Sequence, residues 1–168
     1  LELFEPVWLV SYAGASQAGV GLHQGLEMIV TLVTLAVLDR WLADHDAEPV
    51  LIAAGVASLV LVPAWLLVPT LWARYVLVVP RSIAMAPLWP ILRSRALAAL
   101  PGKGGAAAAV TALLGLLPIN AAVGWTAARI GLTRTLLVVT LAGLGGLLAV
   151  LLRSAPDEHR TSEEAPLG

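Results

Sequence analysis

The chain has 168 residues, of which 59% are hydrophobic and only 12% charged, with a mean hydropathy of +0.88 and a net charge of −1. A soluble domain carries roughly 25% charged residues, so this composition leaves too little polar surface to cover a globule in water. The near-zero charge excludes a basic stripe for nucleic acid, and the lack of cysteine excludes disulfides, thiolate chemistry and Cys-based metal sites.

What remains is a membrane weave. Gly104 to Ala128 contains no ionisable side chain, and Thr135 to Leu152 contains none either. Each run is long enough to cross a hydrocarbon core of ~30 Å at ~1.5 Å per helical residue. The expected fold class is therefore all-α, a polytopic bundle of six transmembrane helices. The spans are expected at about 3–18, 22–40, 50–69, 72–92, 104–127 and 135–152, with a polar, disordered cytoplasmic tail over 154–168. The start lacks a basic n-region and carries Glu2 and Glu5, so it does not read as a signal peptide. Beginning at Leu1 rather than Met, the chain reads as a fragment or a processed product.

In chain order, the first apolar stretch embeds Tyr12, Ser16 and Gln17. Gly19, Gly21 and Gly25 then weaken helix and mark a reversal near Gly19–His23. The second span places Gln24, Glu27, Thr31 and Thr34 on one helix face. It ends in Asp39-Arg40-Trp41, and an acidic loop leads to Pro49. The third span starts after Pro49, with Pro63 predicting a kink and Pro69 an end. The fourth is broken by Pro80, Pro87 and Pro90 and carries Arg81. A polar connection follows with Arg93, Arg95 and Lys103. The last two spans form a hairpin that turns near Arg129–Arg134, with Pro118 and Asn120 inside the first arm.

Six spans place both termini on one side. With that side cytoplasmic, Arg40, Arg93, Arg95, Lys103, Arg153 and Arg160 face in and Arg74, Arg129 and Arg134 face out, which follows the positive-inside rule. The tryptophans then fall in two belts. Trp8, Trp41 and Trp89 lie at the inner level, and Trp65, Trp72 and Trp125 at the outer level. The expected location is a bacterial inner membrane.

With the spans placed, the chain resembles the C-terminal six-helix half of a major facilitator superfamily transporter. The resemblance rests on Leu100-Pro101-Gly102-Lys103-Gly104 before an Ala-rich helix, then Leu117-Pro118, Gly124 and the short turn Ala128 to Leu132. Leu38-Asp39-Arg40 resembles the family's loop motif, though Leu35 stands where that motif has glycine and the following loop is acidic. The resemblance implies alternating access of a small solute around a site near the bilayer midplane, between this half and a second one. It also implies that spans 1 and 4 line the cavity and that spans 2 and 5 pack on the other half.

Arg81 is the sharpest candidate, because a guanidinium in lipid costs at least ~2.5 kcal/mol and so calls for a cavity or a partner. It reads as an anion or substrate-carboxylate contact with Ser82 beside it, or as a residue snorkelling to the headgroups. Glu27 reads as a proton-coupling carboxylate or a solvated rim residue. Tyr12, Ser16 and Gln17 are candidate cavity donors, with Tyr12 and Ser16 sharing a face one turn apart. Asn120 is a further candidate, or a partner for a carbonyl freed by Pro118. His23 reads as a solvated loop residue. Small-residue ridges, Ala107-Thr111-Gly115, Ala142-Gly146 and Gly145-Ala149, predict close helix packing.

No catalytic constellation, cofactor motif or metal-ligand spacing is present, and the polar residues of the spans scatter in depth. The expected partners are the bilayer, a small-molecule substrate, and a missing N-terminal six-helix half or a second copy. The alternatives are a small stand-alone membrane protein, acting as a dimeric permease or structural subunit, and last an integral membrane enzyme using Arg81 and Glu27.

Overall fold

The computed structural model describes residues 4–98, 102, 105 and 120–154. Among the described residues every regular element is a helix. They are α1 (Glu5–Ser11), α2 (Gln17–Leu42), α3 (Ala47–Leu67), α4 (Leu71–Met85), α5 (Leu88–Ala98), a helical stretch over 120–130 (α6), and α7 (Leu132–Ser154). Four stretches are long and apolar enough to cross a membrane: Gln17–Leu42, Ala47–Leu67, Leu71–Ala98 and Leu132–Arg153.

Local chemistry sets the boundaries. Ser16 is in extended conformation and its side chain accepts from the Gly19 N–H at 3.1 Å, which starts α2. Pro49 sits in the first turn of α3, where a missing N–H costs nothing, and Pro69 follows the end of that helix at Leu67. Pro63 and Pro80 lie inside α3 and α4 without ending either helix. Pro87 falls in the turn between α4 and α5. The chain reverses between α6 and α7 at Gly131, with φ 87°.

α2 packs on α4, α4 on α3, and α3 on α7, while α5 closes against α3 and α1 against α2. One apolar cluster joins Trp8 and Leu9 of α1 to Val20, Trp65, Leu66 and Leu136. A second, at the other end of α3, joins Leu51 and Ala54 to Leu88, Ile91, Leu144 and Leu151. α2 is the least enclosed of the long helices, with Leu22, Met28, Ile29, Leu32, Val33 and Val37 all exposed.

Several expectations need correction. The first span over 3–18 is not a membrane-length helix within this chain: α1 covers 7 residues, about 10 Å at 1.5 Å each. It ends because the chain turns at Gly14, whose φ of 70° suits no β-carbon-bearing residue well. The argument from parity for both termini on one side therefore loses its first crossing. The reversal near Gly19–His23 does not occur either. α2 runs straight through Gly19, Gly21 and Gly25, because the Ser16 cap starts it early. The polar connection after residue 92 is helical to Ala98.

Trp8 does not belong to the inner tryptophan level. Trp8 and Trp65, assigned to opposite faces, are both buried with ring centroids 5.1 Å apart. Trp8 donates through Nε1 to Thr133 Oγ1 at 2.7 Å, which holds α1 against the start of α7. On α7 the small residues Ala142, Gly146 and Ala149 are exposed rather than packed. The close approach is made instead at Gly55 of α3, where an added Cβ would lie 2.8 Å from Leu148 Cδ2. Ala107, Thr111, Gly115, Lys103, Pro118 and the tail from 155 lie outside the described residues, as does most of the expected fifth span.

Candidate functional site

The site is built where α1, α2 and α4 meet. Glu5 opens α1, with Pro6 next to it in the first turn. His23 and Glu27 lie four residues apart on α2 and so share a face. Arg81 and Ser82 follow Pro80 on α4.

Arg81 is almost fully buried, and its Nη2 makes all the polar contacts. It donates to Glu5 Oε2 at 2.8 Å and to Oε1 at 3.1 Å, and also to Glu27 Oε1. Its guanidinium carbon lies 4.3 Å from the centroid of the Trp65 ring, a cation–π arrangement that replaces part of the lost hydration. Arg74, two turns earlier on the same face, lies likewise 4.7 Å over Trp8. His23 is buried, with Nδ1 3.3 Å from Glu5 Oε1 and its ring near Trp65 at 5.5 Å and Tyr75 at 5.8 Å.

The accounting of charge is simple. Two carboxylates face one guanidinium, so with a neutral imidazole the cluster is short of one positive charge. Among the described residues, Nε2 of His23, Nε of Arg81, Nε1 of Trp65 and Oγ of Ser82 are buried without a hydrogen-bond partner.

The cluster is open on one side. A cleft of about 470 Å³ runs from Glu5, Glu27 and Arg81 past Ser82 and Thr31 to an apolar end at Met85 and Trp89. A neighbouring lobe of about 330 Å³ shares Glu5, Glu27 and Thr31 and adds Gln24. Donor atoms of Glu5, His23 and Glu27 lie within 4.8 Å of one another, a spacing that would suit a metal ion. The Arg81 guanidinium already bridges the two carboxylates, however, so an ion there would meet a fixed positive charge at hydrogen-bonding distance.

Of the residues singled out from sequence, the structure brings Arg81, Ser82 and Glu27 together. Arg81 is held by partners and does not snorkel, and Glu27 is part-buried and paired rather than a solvated rim group. Thr31 lines the cleft, while Thr34 bonds its own helix at Val30 O, 2.7 Å away. Tyr12, Ser16 and Gln17 lie elsewhere, exposed on the turn between α1 and α2. Tyr12 and Ser16 share no helix face, because α1 ends at Ser11, and Ser16 serves as the α2 cap. Asn120 is half-buried in α6, and Asp39 and Arg40 are exposed in the last turns of α2.

Two members went unrecognised in the sequence. Glu5 read as flank because it precedes the apolar run, and His23 read as loop because glycines surround it. The available signal was the His23–Glu27 spacing of one helical turn. The scatter of polar groups in depth is likewise corrected, since helix packing gathers Glu5, His23, Glu27, Arg81 and Ser82 into one place. No family model matches the chain, and neither a curated protein nor a solved structure matches it.

Proposed function

We propose that this chain is one half of a secondary transporter, moving a small solute by alternating access, with the Glu5–Glu27–Arg81 cluster on the transport path. The observation that carries the reading is a buried arginine on a membrane-length helix, paired with two carboxylates and opening into a cleft. Arg81 and Glu27 each lie ten residues past the start of their helices. That is roughly 15 Å along the axis, about half of a ~30 Å hydrocarbon core. Charge at that depth is expensive, and in membrane proteins it marks ion and substrate pathways.

The resemblance to the major facilitator superfamily supplies the rest. α1 takes the place of the first span and α4 with α5 that of the fourth, and these line the cleft. α2, a helix expected to meet the second half, leaves its apolar and polar faces largely uncovered. That same uncovered face supports the second reading, a stand-alone protein that pairs with another copy of itself. The location proposed is a bacterial inner membrane with the basic loops inside.

The test is solute flux in proteoliposomes holding the full transporter. In proteoliposomes matched for folded, inserted protein, Arg81→Ala is expected to abolish flux. Full flux by that variant would remove the cluster from the path. Dimers of this chain alone that carry flux would favour the second reading.

A further inference from the structure

The charge imbalance of the cluster specifies what the cleft accepts. Glu5 and Glu27 both lean on Nη2 of Arg81, and among the described residues no second guanidinium or ammonium lines the cleft. Arg81 is thereby engaged, and an incoming anion would meet an excess of negative charge rather than a free arginine. Glu27 is the member that faces the opening, with its side chain about a quarter exposed. Beside it, Ser82 is 2% exposed and lines the cleft, and its Oγ has no partner among the described residues. At the far end Trp89 presents an exposed indole.

We propose that the cleft binds an organic monocation, an alkylammonium or a related amine. Its charge sits against Glu27, Ser82 Oγ accepts from any N–H it carries, and its apolar body lies on Trp89. A cation beside Glu27 offsets the excess of negative charge in this part-buried site, and the exposed indole offers an apolar platform for the rest of the molecule. A bare metal ion fits less well. The cleft of about 470 Å³ is far larger than an ion, its outer end is apolar, and Arg81 occupies the carboxylates that would ligate one. This inference deepens the transport reading by naming its substrate class, and it reverses the sequence expectation that Arg81 contacts an anion.

The test is calorimetric titration of the full transporter in lipid nanodiscs with three ring-matched probes: benzyltrimethylammonium, benzyl alcohol and benzoate. The expected result is saturable binding of the cation alone. Glu27→Gln should weaken it at least about tenfold, and Glu27→Asp should retain most of it. Thr31→Lys, which places a positive charge in the cleft, should abolish it, and gives a second route should Glu27→Gln not insert. Absence of saturable cation binding, equal binding of benzoate or benzyl alcohol, or unchanged affinity in Glu27→Gln or Thr31→Lys would overturn the proposal. Such a failure alongside Arg81-dependent flux would leave the transport reading standing. Selective cation binding without flux would strike the transport reading instead.

Discussion

Replacing Arg81 by glutamine tests the physical core of the account. Arg81 and Glu5 are 4% and 5% exposed, and they meet at 2.8 Å. Removing the guanidinium takes from the buried Glu5 carboxylate its closest charge partner, and Glu27 loses the same partner. At an effective dielectric of about 20, two charges about 4 Å apart interact by roughly 4 kcal/mol. Breaking a buried ion pair on one side costs about 3–5 kcal/mol, which agrees. At roughly 2–4 °C per kcal/mol for a chain of this size, the unfolding midpoint in detergent should fall by roughly 6–20 °C. Neutralising the partners as well, in Glu5→Gln with Glu27→Gln on the Arg81→Gln background, should recover most of the loss, because no uncompensated charge remains. The assay is thermal unfolding of purified protein followed by helical signal. A midpoint within about 2 °C of wild type for Arg81→Gln alone would refute the buried-pair reasoning. So would a triple variant no better than the single one.

Three further outcomes follow from packing. Gly55→Leu should destabilise the α3–α7 contact by at least about 1–3 kcal/mol, because even its Cβ would press on Leu148. Gly146→Leu should cost little, since nothing lies within 4 Å of that position among the described residues; unfolding midpoints compare the two directly. Trp8→Phe removes the bond to Thr133 while keeping an aromatic ring, and should cost about 0.5–1.5 kcal/mol in the same assay.

Hydropathy and charge placement made much of the fold legible. Charge-free runs marked the long helices, and the prolines at 49, 69 and 87 marked three of their boundaries. Glycines misled, because propensity scales describe helices in water. Gly19, Gly21 and Gly25 stay helical once Ser16 has capped α2, within a helix of 26 residues. Arg81 announced itself, since a guanidinium within a span must find a partner, and Glu27 was the obvious carboxylate. Glu5 was not legible. Its role depends on α1 stopping after two turns and folding back so that Trp8 packs at a tilt against Trp65, a tertiary event with no local signature. His23 followed from the same event, for it is buried only because Trp65 and Tyr75 close over it.

On the proposed transport reading, the cleft beside Glu27 opens to water. Because the chain has no cysteine, a single introduced thiol reports without background. Thr31→Cys lines the cleft, and Val33→Cys faces away from it on the exposed apolar side of α2. The measurement is labelling of each variant, in the full protein within sealed bilayers, by a membrane-impermeant cationic thiosulfonate. The account predicts reaction at position 31 from at least one side, slowed by bound benzyltrimethylammonium, and no reaction at position 33. A thiol at position 31 that stays unreactive from both sides, or one labelled no faster than that at 33, would contradict it.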